Sequence, residues 1–132
     1  MKKAALLVMA ALVVLPVLAS AGTTQVSGDQ TTLSEYQARQ KAEEFVRECP
    51  TFVYDGIEDT LALSETLYPD MENSWTFVFE FESRHAGYGD RDGQMLAQVI
   101  TPHEATVTIE NGKVKTALLD GQWDMTAQQL ID

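Results

Sequence analysis

An α+β domain, with one N-terminal helix packed on a four- to five-stranded antiparallel sheet, is the fold class this sequence predicts. Three observations predict it. A single amphipathic run precedes every strand-like run. Trp75 to Glu82 alternates without a break, so that Trp75, Phe77, Phe79 and Phe81 share one face and Thr76, Val78, Glu80 and Glu82 the other. Asn111-Gly112 lies between two alternating runs, which is the strongest short-range hairpin signal. Four large aromatics on one face need a cover, and a helix laid across an antiparallel sheet supplies it.

The chain begins with a segment that this domain does not need. Met1-Lys2-Lys3 is cationic, Ala4 to Leu18 is apolar, and Ala19-Ser20-Ala21 is a small-residue cleavage signal. The apolar run falls short of the roughly 20 residues a spanning helix requires. We read residues 1–21 as a signal peptide cleaved after Ala21, with an uncleaved N-terminal anchor as the alternative. The implied location is extracellular or in the cell envelope. Residues 22–31, polar and aperiodic, read as a flexible lead-in, and 32–132 as one domain. Without Lys2 and Lys3, 20 acidic residues face 7 basic ones instead of 9, for a net of −13. That balance argues against nucleic acid or anionic lipid as a partner. It reads first as a solvated surface and second as a surface for a cationic partner.

Thr32 with Glu35 fits a capping box, and Ser34 with Gln37 is an alternative register. The following helix, Leu33 to about Glu48, places Ala38, Ala42, Phe45, Val46 and Cys49 on one side and is ended by Pro50. Cys49 is the only cysteine, so it forms no intramolecular disulfide and is expected to be a packed thiol. Thr51 to Tyr54 reads as a short β run, and Thr60 to Tyr68 as a strand ending in the turn Pro69 to Ser74. After the aromatic strand and a turn from His85 to Gly93, Gln94 to Thr101 is expected to be the returning strand, interrupted by Pro102. The Asn111-Gly112 turn predicts that Ile109 faces Val114, Val107 faces Thr116, Ala105 faces Leu118 and Glu110 meets Lys113. Asp120-Gly121 ends that strand. A short helix is expected from about Thr126, with Trp123 packing back on the domain.

Unusual chemistry concentrates in Arg84 to Gln94, which holds three glycines, a tyrosine, two arginines, two aspartates and a histidine. A simple reversal needs only two to five residues. Such a loop has polar groups to spare, and Arg84, His85, Tyr88, Asp90, Arg91 and Asp92, together with His103, are the candidate binding residues. The bland reading is a self-tied turn, with glycines supplying positive φ angles. As a calcium loop, Asp90-x-Asp92-Gly93 fails at its terminal position, where Val99 replaces the bidentate Glu. His85 and His103, with Met71 or Met95, offer donors for a transition metal, but their spacing carries no signature. On the strand assignment above, the two histidines lie at opposite ends of a hairpin. Cys49 and Asp90 exist for a hydrolase, yet nothing in the sequence brings them to a histidine. No motif calls for a cofactor.

The run W-x-F-x-F-x-F-x-S-R-H-A-G-Y-G-D-R-x-G-Q, with Ile100-Thr101-Pro102-His103, T-V-T-I-E-N-G-K-V and Asp120-Gly121-x-Trp123-Asp124, resembles a group of small exported prokaryotic proteins over most of residues 35 to 125. The element order is similar to PepSY and cystatin-like domains, which implies an interaction or peptidase-inhibitor module. The cystatin Gln-x-Val-x-Gly signature is absent, so no inhibitory residues carry over. The expected function is therefore a non-enzymatic exported module with a protein or peptide partner. The alternative is a metal- or small-ligand-binding protein using His85 to Gly93.

Overall fold

The computed structural model describes residues 32–131. The expected signal peptide and lead-in lie outside the described residues. The first helix, α1, spans Glu35–Glu48. Its N-terminus uses the Ser34 register: Ser34 Oγ accepts from the Gln37 amide at 3.1 Å, and Gln37 Oε1 accepts from the Ser34 amide at 3.0 Å. Glu35 is otherwise engaged, since its carboxylate accepts from the Tyr68 hydroxyl at 3.1 Å. Cys49 is extended (ψ 148°), as the residue before a proline should be, and α1 ends there.

Pro50 then starts a second helix, α2, over Pro50–Asp55. This corrects the β run expected at Thr51 to Tyr54. Proline's fixed φ suits the first helical position. Tertiary burial overrides the β propensity, for Phe52 meets Phe81 edge-on at 5.1 Å and Thr51 is fully buried. A 3₁₀ turn, Glu58–Thr60, leads into β1 (Ala62–Leu67). The remaining strands are β2 (Ser74–Ser83), β3 (Thr101–Glu110), β4 (Lys113–Leu119), β5 (Trp123–Asp124) and β6 (Gln129–Leu130). All six form one antiparallel meander in the order β1 to β6. The architecture is thus the α+β class expected, with more strands than predicted.

The returning partner of the aromatic strand is β3 and not Gln94 to Thr101. Pairing begins at Ser83↔Thr101 and runs through Phe81↔His103, Phe79↔Ala105 and Phe77↔Val107 to Ser74↔Glu110. His103, Ala105, Val107 and Ile109 alternate in step with the aromatic face, whereas Gln94 to Ile100 has no such alternation. Pro102 lies beyond the last β4 pair, Ala105↔Leu119, where β3 is locally an edge and proline is tolerated.

The Asn111-Gly112 turn forms with both φ angles positive (52° and 79°), and Glu110↔Lys113 and Ile109↔Val114 pair as expected. Beyond them the register shifts, so that Val107 meets Ala117 and Ala105 meets Leu119. Lys115 is the extra residue. Without this bulge Ala117 and Leu119, both essentially unexposed, would point away from the core. Lys115 turns outward to Glu110 at 3.0 Å.

The expected terminal helix is instead the β5–β6 hairpin. Asp124 Oδ1 accepts from the Thr126 hydroxyl and amide and from the Ala127 amide, which closes a tight turn. Gln128 leaves that turn at a φ of 57°, a left-handed conformation that stops helix growth. The core lies between α1, α2 and the aromatic face. It joins Ala38, Ala42, Val46, Cys49 and Phe52 to Phe77, Phe79, Phe81, Val107, Ile109 and Leu119.

Candidate binding loop

The connection from β2 to β3, Arg84 to Ile100, divides into a locked half and an open half. Arg91 makes the lock. Its side chain is 1 % exposed, the largest fully buried one among the described residues. Nε donates to the Gly89 carbonyl at 2.9 Å, one terminal nitrogen donates to the His85 and Ala86 carbonyls, and the other to Thr51 O at 2.8 Å and Asp55 Oδ1 at 2.9 Å. The guanidinium also lies 4.7 Å from the centre of the Tyr54 ring. Asp55, itself buried, gives its second oxygen to His85 Nδ1 at 2.8 Å. One buried cation therefore gathers four carbonyls of the loop and of α2 around a single carboxylate, which a loop of this length needs if it is to hold one shape.

Close approach requires glycine twice here. Gly87 has a φ of 102°, and a Cβ on it would come within 3.0 Å of Arg91 Cδ. Gly89 has a φ of 76°, a Cβ there would meet the Trp123 ring at 3.2 Å, and its amide donates to Thr51 Oγ1 at 2.7 Å.

Asp120 is a second hub. Its Oδ1 accepts from the Glu104 amide at 2.7 Å, while Oδ2 accepts from Tyr88 OH at 3.0 Å and lies 2.7 Å from His103 Nδ1. Tyr88 stacks on Trp123 with centroids 5.4 Å apart and packs beside His103. Burial, then the hydrogen bond to Asp120 and its negative charge, push the Tyr88 hydroxyl up to about 12.

His103 Nε2 is 3.2 Å from Ser83 Oγ, and Ser83 Oγ donates to the His85 carbonyl at 2.8 Å. The two histidines therefore stand at the same end of the sheet, joined through Ser83, and not at opposite ends. The reason is the register of β3, which pairs His103 with Phe81 next to the loop. Ser83, His103 and Asp120 follow the order of a hydrolase triad, but Ser83 is 0 % exposed and its hydroxyl is turned to a main-chain carbonyl. No substrate carbonyl reaches that oxygen, so the trio is a tie between β2, β3 and the turn after β4.

Of the seven candidate residues, His85, Tyr88, Arg91 and His103 are engaged in these two hubs. Arg84, Asp90 and Asp92 are exposed, and Asp90 Oδ1 closes a small turn by accepting from the Asp92 amide at 3.0 Å. Among the described residues no group of three or more His, Cys, Asp or Glu side chains is placed to hold a metal ion. Asp55, Thr51, Ser83 and Asp120 complete the site without having been singled out by sequence. The aspartates stand in Asp55-Gly56 and Asp120-Gly121, where they look like ordinary turn formers.

The open half is Gln94 to Ile100. It has no regular secondary structure, and its only main-chain donations are local, from Gln94 to Arg91 O and from Val99 to Ala97 O. Met95 is fully exposed, and Val99 and Ile100 are each 52 % exposed. No charged residue occurs from Gly93 to Pro102. On the outer sheet face, Glu80 and Glu104 are direct cross-strand partners, a like-charge pairing that costs stability.

Compared with family models, with curated proteins and with solved structures, the chain matches none. No helix of the described residues is long and apolar enough to cross a membrane.

Proposed function

We propose that this is an exported, non-enzymatic interaction module that presents the β2–β3 connection to a protein or peptide partner. One observation carries the reading: a loop whose first half is immobilised by a buried arginine exposes three apolar side chains in its second half. A fixed base that carries an apolar tip is how scaffolds present binding loops, because the base sets where the tip is offered. The uncharged tip, flanked by Asp90, Asp92 and Glu104, fits a partner with an apolar cleft and a basic rim. The helix followed by an antiparallel meander is also what the likeness to PepSY and cystatin-like domains rests on, and that likeness implies an interaction or peptidase-inhibitor module without naming its partner.

The test compares the wild-type domain with Met95→Asp/Val99→Asp/Ile100→Asp as bait in cell-envelope extract, with captured proteins identified by mass spectrometry. These side chains are exposed, so the melting temperature should stay within a few degrees. Proteins retained by wild type and lost by the triple variant support the proposal. Identical retention by both refutes the loop as the contact surface.

A further inference from the structure

We propose that Gln94 to Ile100 is also a cleavage site, at which an endopeptidase of apolar preference divides the chain while the two pieces remain one folded domain. An endopeptidase must receive its substrate as an extended chain with free main-chain groups. Within the open half only Gln94 and Val99 donate main-chain hydrogen bonds, both to near neighbours, so little must be broken to straighten it. Fully drawn out, the eight residues from Gly93 to Ile100 reach on the order of 26 Å at ~3.3 Å per residue. Met95 and Leu96 stand at its middle as unbranched or γ-branched apolar side chains, and no charge interrupts the run.

The other exposed apolar groups are poorer substrates. Tyr36 and Val53 lie within helices, Leu67 ends a paired strand and Leu130 lies in β6, so a cut at any of them first requires local unfolding. Tyr68 is followed by Pro69, Met71 sits in the short turn whose two ends are held by the β1–β2 ladder, and the Ile131 amide donates to the Gln122 carbonyl at 2.9 Å. Hydrolysis adds water across one amide, hydroxyl to the carbonyl carbon and proton to the departing nitrogen, and needs no co-reactant beyond the peptidase. The pieces stay together because the cut lies between Arg91 and Thr101. β2 on one piece keeps its ten-residue ladder with β3 on the other, and the Arg91 lock lies wholly on the first piece. This inference does not rest on the binding partner, which would only shield the segment.

The experiment exposes the purified protein, without any partner, to trace chymotrypsin and separately to thermolysin under native conditions, with cuts located by mass spectrometry. We expect both enzymes to cut first within residues 94–100, at least about tenfold faster than at any other bond of the domain. The fragments should co-elute as one species on size exclusion with the cooperative melt retained. A first cut elsewhere within 32–131, or separation of the fragments under native conditions, overturns the inference. Replacing 94–100 by alternating glycine and serine should remove the first cut without altering the fold.

Discussion

Arg91→Met is the most informative single change, because it keeps apolar bulk while removing one buried charge. The guanidinium is 1 % exposed and donates to Thr51, His85, Ala86 and Gly89 carbonyls as well as to Asp55. Removing one partner of a buried ion pair costs about 3–5 kcal/mol, since the remaining charge stays desolvated. Two features hold the expected loss to the lower part of that range. His85 continues to contact Asp55, and the half-buried loop admits water to the His85 and Ala86 carbonyls. About 3 kcal/mol corresponds to a fall of roughly 12–20 °C in melting temperature for a domain of this size. Thermal and urea unfolding followed by circular dichroism would measure it. Asp55→Asn leaves the opposite charge stranded, so the double variant Asp55→Asn/Arg91→Met should lose at least about 1 kcal/mol less than the two single losses combined. A loss below about 1 kcal/mol for Arg91→Met, or strict additivity in the double variant, would refute the lock.

Three further outcomes follow from the same geometry. Tyr88, with its hydroxyl raised to about 12 in the folded protein against about 10 unfolded, contributes stability that is fully present below pH 10 and is lost as pH rises through 12. Ultraviolet difference titration should show late ionisation of Tyr88, beside that of Tyr68, whose hydroxyl is also raised by its hydrogen bond to Glu35, and Asp120→Asn should bring the Tyr88 step alone earlier; an unchanged titration would contradict the Asp120 contact. Cys49 is buried and burial pushes its thiol above the ordinary value, so it should resist alkylation at neutral pH until the protein is denatured. Gly112→Ala should cost about 1–2 kcal/mol, measured by urea unfolding, because the turn holds that residue at a φ of 79°. No change there would mean that the hairpin turn tolerates a different backbone.

The separation of what was legible from what was not runs along the range of each interaction. The capping signals, the proline stop at Cys49-Pro50, the aromatic face and the Asn111-Gly112 turn are local patterns, and each element they specify is present. Pro50 ends one helix by local chemistry alone, but that it also starts another depends on the burial of Phe52 against Phe81, a contact across 29 positions of sequence. The register of β3 against β4 was legible for two pairs beyond the turn and then departed, since the bulge at Lys115 answers to core packing and not to the turn. In the loop, residue chemistry marks an unusual stretch but not how its groups are arranged. Whether an arginine meets solvent or a buried carboxylate depends on Asp55, 36 residues earlier.

Taken alone, the order of residues determined that a helix and an alternating aromatic strand exist, that they form an α+β domain, and that the glycine-rich connection is chemically unusual. Periodicity and turn chemistry act over a few residues, which is why these were readable. Only the tertiary structure decided which half of the connection is closed and which is open. Burying Arg91 requires a distant carboxylate and four carbonyls to converge from α2 and the loop, whereas Gln94 to Ile100 makes only local main-chain hydrogen bonds and leaves Met95, Val99 and Ile100 exposed.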